Sequence, residues 1–193
     1  MRAELKAAAG MMLLAVAVMG AGCAGVQVSS GTANYVYPSL SVAELQSAIY
    51  PCDQCAAGKV TLTGGKYSEP LTTSGTDLLT ITLLGQWTVL GDIDGDGNKD
   101  AAAILTFQGR GNSVLYHLMA MINDNGKPDA RADLVLGDRI KINQVTITNG
   151  NVLVDLNRKG PSDPVEDPRD RFRETYKFTG QDFTRVDQVE IPR

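Results

Sequence analysis

Apolar and polar residues alternate with a period of two over much of the chain, in runs of strand length separated by turn residues. The runs are 59–62, 76–84, 87–90, 101–107, 114–122, 140–148, 152–156 and 175–178. Asn149-Gly150, between "VTIT" and "NVLVDL", is the residue pair of a two-residue hairpin turn, and Asp124-Asn125-Gly126 turns the chain in the same way. One stretch follows a helical period instead. Ser41-Val42-Ala43-Glu44 is a capping box, and Val42, Leu45 and Ile49 fall on one face of a short helix that ends near Tyr50-Pro51. The pattern predicts an α+β, β-rich fold: a mostly antiparallel sheet with one or two short helices, in a single domain over residues 41–193. Within it, Asn157 to Arg173 ("NRKGPSDPVEDPRDRFR") carries three prolines among mixed charges and predicts a long exposed loop.

The pattern fails at the N-terminus. Arg2 and Lys6 precede an apolar run from Ala7 to Met19, followed by Gly20-Ala21-Gly22-Cys23. This is the layout of a secretory signal over residues 1–22, and the run is shorter than the roughly 20 apolar residues of a spanning helix. In the bacterial lipoprotein pathway that the pattern resembles, Cys23 is acylated and becomes the first residue; the alternative is an ordinary signal with a free cysteine. Residues 23–40 are then the lipidated cysteine and a small, polar tether, and the membrane is a partner through that anchor. Ala24 after the cysteine directs a Gram-negative lipoprotein to the outer membrane, facing the periplasm.

Charge narrows the partners. A formal net charge of −4 and a pI near 5.0, with no basic cluster interleaved with aromatics, exclude nucleic acid.

The densest chemistry lies in "VLGDIDGDGNKDAAAIL". Counting Asp92 as position one, side-chain oxygens fall at one, three, five and nine on Asp92, Asp94, Asp96 and Asp100, with Gly97 at six and Asn98 at seven. Alternate carboxylates of this kind converge on calcium, the glycine permits the sharp turn, and the seventh residue offers its carbonyl. Position twelve is Ala103 instead of a bidentate Glu, and strands flank the loop, so it resembles the strand-loop-strand calcium loops of β-repeats more than an EF-hand. The missing Glu predicts weak binding, in the roughly 10⁻⁴ to 10⁻³ M class, and magnesium fits less well because of its stricter octahedral demand. A solvated Asp/Gly/Asn turn is the competing reading.

Cys52-Asp53-Gln54-Cys55 follows the helix and precedes a strand. In an oxidising compartment that order favours a local disulfide over a redox pair, which wants its thiol at a helix N-terminus. Zinc would need two further ligands, and the one histidine, His117, lies inside a strand run as a packed residue. No nucleophile elbow or phosphate loop occurs.

The segments "LQSAIYPC", "GKVTLTGGKYSEP", "VLGDIDGDGNKDAAAIL", "YHLMAMINDNGKP", "LGDRIKINQVTITNGNVLVDL" and "GPSDP" together resemble a family of uncharacterised bacterial secreted proteins and lipoproteins. That family has a GDxDGDGxxDAA loop and an LGDR(I/V) segment. The resemblance covers most of residues 42–165 and implies an exported location and a calcium-type loop, with no established activity. The expectation is therefore a lipid-anchored envelope protein with a binding or structural role toward an envelope protein or glycan. The alternative is a metal-dependent envelope hydrolase in which one of the loop aspartates holds a metal that activates water.

Overall fold

The computed structural model describes residues 38–71, 77–161, 163–164 and 167–192. The expected signal segment, Cys23 and most of the expected tether lie outside them. The capping box forms: Ser41 Oγ accepts from the Glu44 amide at 3.2 Å, and Glu44 accepts from the Ser41 amide at 2.7 Å. The helix it starts, α1 (Val42–Leu45), is only one turn long. Ile49 and Tyr50 favour extended backbone and Pro51 disfavours helix in the residue before it, so Ile49–Pro51 becomes strand β1 and pairs antiparallel with β2 (Lys59–Thr61). Tyr50, fully buried, donates its hydroxyl to the Leu45 carbonyl at 2.9 Å and closes the end of the helix.

The remaining strands are β3 (Lys66–Pro70), β4 (Leu78–Leu83), β5 (Val89–Gly91), β6 (Asp100–Gln108), β7 (Val114–Asp124), β8 (Lys127–Asp138), β9 (Lys141–Thr148), β10 (Asn151–Arg158), β11 (Asp170–Phe178) and β12 (Phe183–Ile191). A 3₁₀ turn, Gly85–Trp87, joins β4 to β5. The fold is β-rich and antiparallel, with α1 and this turn as its only helical segments among the described residues, so α+β overstates its helix content. Residues 35–193 make one compact unit.

The strands form a six-stranded sheet, β3-β4-β6-β7-β8 with β5 also on β6, and a four-stranded sheet, β12-β11-β10-β9. Both Asn-Gly hairpins form as the sequence predicts. Asn125-Gly126 and Asn149-Gly150 take positive φ throughout, the backbone that matches strand twist in two-residue turns.

β6 organises the core. Ala101, Ala103, Leu105 and Phe107 face a layer made by α1, β1, β2 and the Cys52–Cys55 disulfide, whereas Ala102 and Ile104 face the four-stranded sheet. A strand covered on both faces reads as an unbroken apolar run, which explains "AAAIL". The second core layer sets Leu118, Ala120 and Ile122 of β7 against Val152, Val154 and Leu156 of β10 and Tyr176 and Phe178 of β11.

Four strands, β1, β3, β8 and β12, are not among the runs that the pattern predicts. The expected loop over 157–173 is also narrower, because β10 continues to Arg158 and β11 begins at Asp170. Its described part is not all exposed, since Gly160, Asp163 and Pro168 are buried and Asp163 Oδ2 accepts from the amides of Gly160 and Arg169 at 2.9 and 3.0 Å.

An ionic cluster ties the two sheets. Glu174, fully buried on β11, accepts from both terminal nitrogens of Arg158 at 2.7 and 2.8 Å, from Arg185 at 2.7 Å and from the Tyr176 hydroxyl at 2.7 Å. Arg158 also donates to the Leu136 carbonyl of β8 at 3.0 Å, which joins the four-stranded sheet to the six-stranded one.

Candidate metal centre

The aspartate segment is the connection from β5 to β6, and its last carboxylate belongs to the sheet itself. Asp100 opens β6 and is fully buried. Its Oδ2 accepts from the Ile93 amide at 2.8 Å and more weakly from the Asp94 amide at 3.4 Å, while Oδ1 accepts from the Asn123 amide of β7 at 2.9 Å. Asp100 thereby folds the loop back onto its own strand. Asn123 extends the support: its side chain donates to the carbonyls of Lys99 and Pro38 at 3.2 and 2.9 Å, and its Oδ1 accepts from Gly126 at 2.7 Å. The chain from residue 38 thus joins the domain beside this loop.

Asp92 organises the tip. Its Oδ1 accepts from Gly95 N at 2.6 Å and its Oδ2 from Gly97 N at 3.1 Å, with Gly97 at φ 88°, a conformation that suits glycine. Asp94 Oδ1 accepts from the Asp96 amide at 3.1 Å. Asp96 turns to Asn98, accepting from its amide and side chain at 2.7 and 2.9 Å.

The result is that Asp92, Asp94 and Asp100 each present a carboxylate oxygen within 4.8 Å of the others. Asp96, expected as a ligand from its spacing, accepts from Asn98 and is not among these three carboxylates. Among the described residues, none of the four loop aspartates forms an ion pair. Two unit charges 4.8 Å apart repel by about 1 kcal/mol in water and about 3.5 kcal/mol at an effective dielectric near 20. Burial pushes the Asp100 carboxyl up, its backbone hydrogen bonds pull it down, and the neighbouring Asp94 charge raises it further; the net direction is upward.

The loop is held close to the four-stranded sheet. A Cβ on Gly91 would lie 3.0 Å from two carbons of Ile147, so only glycine lets β5 approach β9 this closely. The Asn149-Gly150 turn sits beside Ile93. Sheet and hairpin thus flank the start of the loop, and the Asp100–Asn123 bond holds its end.

No family model, curated protein or solved structure matches this chain.

The donor set fits a hard cation. Calcium takes six to eight oxygens at about 2.3–2.6 Å, so oxygens on opposite sides of it are up to about 5 Å apart, and three carboxylates within 4.8 Å fall inside that span. The other chemical candidates separate from this centre. Cys52 and Cys55 form a disulfide across the turn that follows β1, with both residues buried in the first core layer. His117 is a buried strand residue: its ring lies 4.1 Å from that of Phe107, and its Nδ1 is 2.7 Å from Asp133 Oδ1. Among the described residues, no helix is long and apolar enough to cross a membrane.

Proposed function

We propose that the β5–β6 loop holds a calcium ion through Asp92, Asp94 and Asp100, and that the ion has a structural task. It fixes one end of the sandwich in an exported, lipid-anchored envelope protein whose work is binding, not catalysis. The observation that carries this reading is the convergence of three carboxylates within 4.8 Å with no ionic partner among them. A cation there relieves the repulsion and joins the start of β6 to the loop tip. The carboxylates already serve as acceptors for backbone amides of the loop and of β7, which is the behaviour of a loop-ordering site. The leader and the Cys23 motif support export and anchoring, and the chain keeps company on this reading with the secreted lipoproteins that its motifs resemble.

The test is calorimetric titration of the metal-stripped protein with calcium and with magnesium. One calcium per chain in the ~10⁻⁴ to 10⁻³ M class, lost in Asp94→Ala, supports the site. Absence of calcium heat and of any calcium-induced stabilisation at millimolar concentration overturns it.

A further inference from the structure

At the end of the sandwich remote from the aspartate loop, a cavity of about 690 Å³ opens between the two sheets. Asn123, beside the loop, and Tyr116, in the cavity wall, are both on β7, about 23 Å apart at ~3.3 Å per residue. The size suits a small ligand, since such sites occupy roughly 300–1,000 Å³.

The lining is chemically uneven. Trp87 and Tyr116 are half-buried and pack against the second core layer, so each is fixed by the core while part of it borders the cavity. Gln86, Asn112 and Lys141 also line it. None of these five side chains makes a hydrogen bond or ion pair among the described residues, and none has a polar atom sealed from solvent. Elsewhere on this wall the charges cancel. Arg139 is held by Asp138 at 2.7 Å, and Asp167 by Arg169 at 2.6 Å. Among the described residues Lys141 makes no ion pair, so its ammonium is the unpaired cation of this lining.

We infer that this cavity binds an acidic saccharide, a sugar ring bearing a carboxylate. A pyranose has an apolar C–H face, which an aromatic ring covers, and a rim of hydroxyls that both donate and accept. The amides of Gln86 and Asn112 also do both, which matches that rim. The indole N–H and the ammonium only donate, so they suit a carboxylate, and the ammonium charge disfavours a cationic ligand. The unpaired ammonium of Lys141 matches one carboxylate per ring. The Tyr116 phenol is protonated at neutral pH and can donate to a sugar oxygen. The cavity shares no residue with the aspartate loop, and the assignment stands whether or not that loop binds calcium.

Trp87 is the sole tryptophan of the chain, so its emission reports on this cavity directly. The purified protein is titrated with di- and trisaccharides of glucuronate, galacturonate and mannuronate, beside their neutral hexose counterparts and benzoate, with and without calcium. The expected result is a saturable change in emission with at least one uronate series and at least about tenfold weaker binding of its neutral counterpart. Lys141→Gln should weaken uronate binding by about tenfold or more, with the unfolding midpoint unchanged. Silence across all three uronate series, equal affinity for neutral sugars, a response to benzoate alone, or unaltered uronate binding in Lys141→Gln overturns the assignment.

Discussion

Replacing Glu174 by Gln keeps the shape of the side chain and removes its charge. The carboxylate accepts four bonds, three of them from guanidinium groups, at a position with no solvent exposure. In Gln, the amide nitrogen must face N–H or O–H donors that had been bonded to an oxygen. Breaking a buried ion pair by removing one partner costs about 3–5 kcal/mol. Here the side chains of Arg158 and Arg185 are 29% and 48% exposed and can turn in part toward water, which places the loss near the lower limit, about 3 kcal/mol. For a domain of this size that lowers the unfolding midpoint by roughly 6–12 °C.

The loss also depends on pH. Burial alone would raise the Glu174 carboxyl, but the bonds from Arg158, Tyr176 and Arg185 outweigh burial and hold it below its ordinary value. A carboxylate depressed in the folded state adds stability above the unfolded value of about 4.3, and that stability fades as pH falls through the lower folded value. Urea unfolding of wild type and Glu174→Gln from pH 7 to pH 3 should therefore show a gap that is full at pH 7 and narrows below about pH 4. A gap under about 1 kcal/mol at pH 7, or one that stays constant to pH 3, would refute the reasoning.

Gly91→Ala should cost about 1–3 kcal/mol by chemical unfolding, because the new methyl meets Ile147 at 3.0 Å, and it should weaken calcium-induced stabilisation by moving β5 away from β9. The double change Cys52→Ser and Cys55→Ser closes no four-residue loop and should lose about 2 kcal/mol, with the calcium response preserved; loss of that response would contradict the separation of the two sites. In a bacterial host, labelling with a radioactive fatty acid should mark the full chain and fail to mark Cys23→Ser; label retained in the variant would sink the lipid anchor.

The strands that could be read from sequence were those with a clear partner pattern. β6 appeared as a run of small apolar residues, and β9 with β10 as two runs around Asn-Gly. β8 was hidden by charge. Its inward residues Ala132, Leu134 and Leu136 alternate correctly, but Asp129, Arg131 and Asp133 before and among them dilute the apolar signal, and the segment is not among the predicted runs. β12 has almost no buried face after Phe183, so alternation had nothing to mark, and a register shift near its middle breaks the period as well. At the aspartate loop, spacing located the segment and named Asp92, Asp94 and Asp100, the three that the fold gathers. It also named Asp96 and Asn98, which bond to each other. Asp92, Asp94 and Asp96 all accept from amides of their own loop, and spacing cannot tell which of their remaining oxygens converge. Nor could it find the cavity at Trp87 and Tyr116, whose lining comes from segments far apart in the chain. The Glu174 cluster was equally invisible, since its arginines lie 16 and 11 positions away.

The most direct test of the central claim is thermal unfolding with and without ~5 mM calcium on wild type, Asp94→Ala and Asp96→Ala. At a Kd of ~10⁻⁴ to 10⁻³ M, this concentration stabilises by about 1–2 kcal/mol, a rise in midpoint of roughly 2–8 °C. The wild-type rise should disappear in Asp94→Ala, whose carboxylate belongs to the convergent group, and persist in Asp96→Ala, whose carboxylate is bonded to Asn98. No rise in wild type, or a rise that survives in Asp94→Ala, would contradict the account.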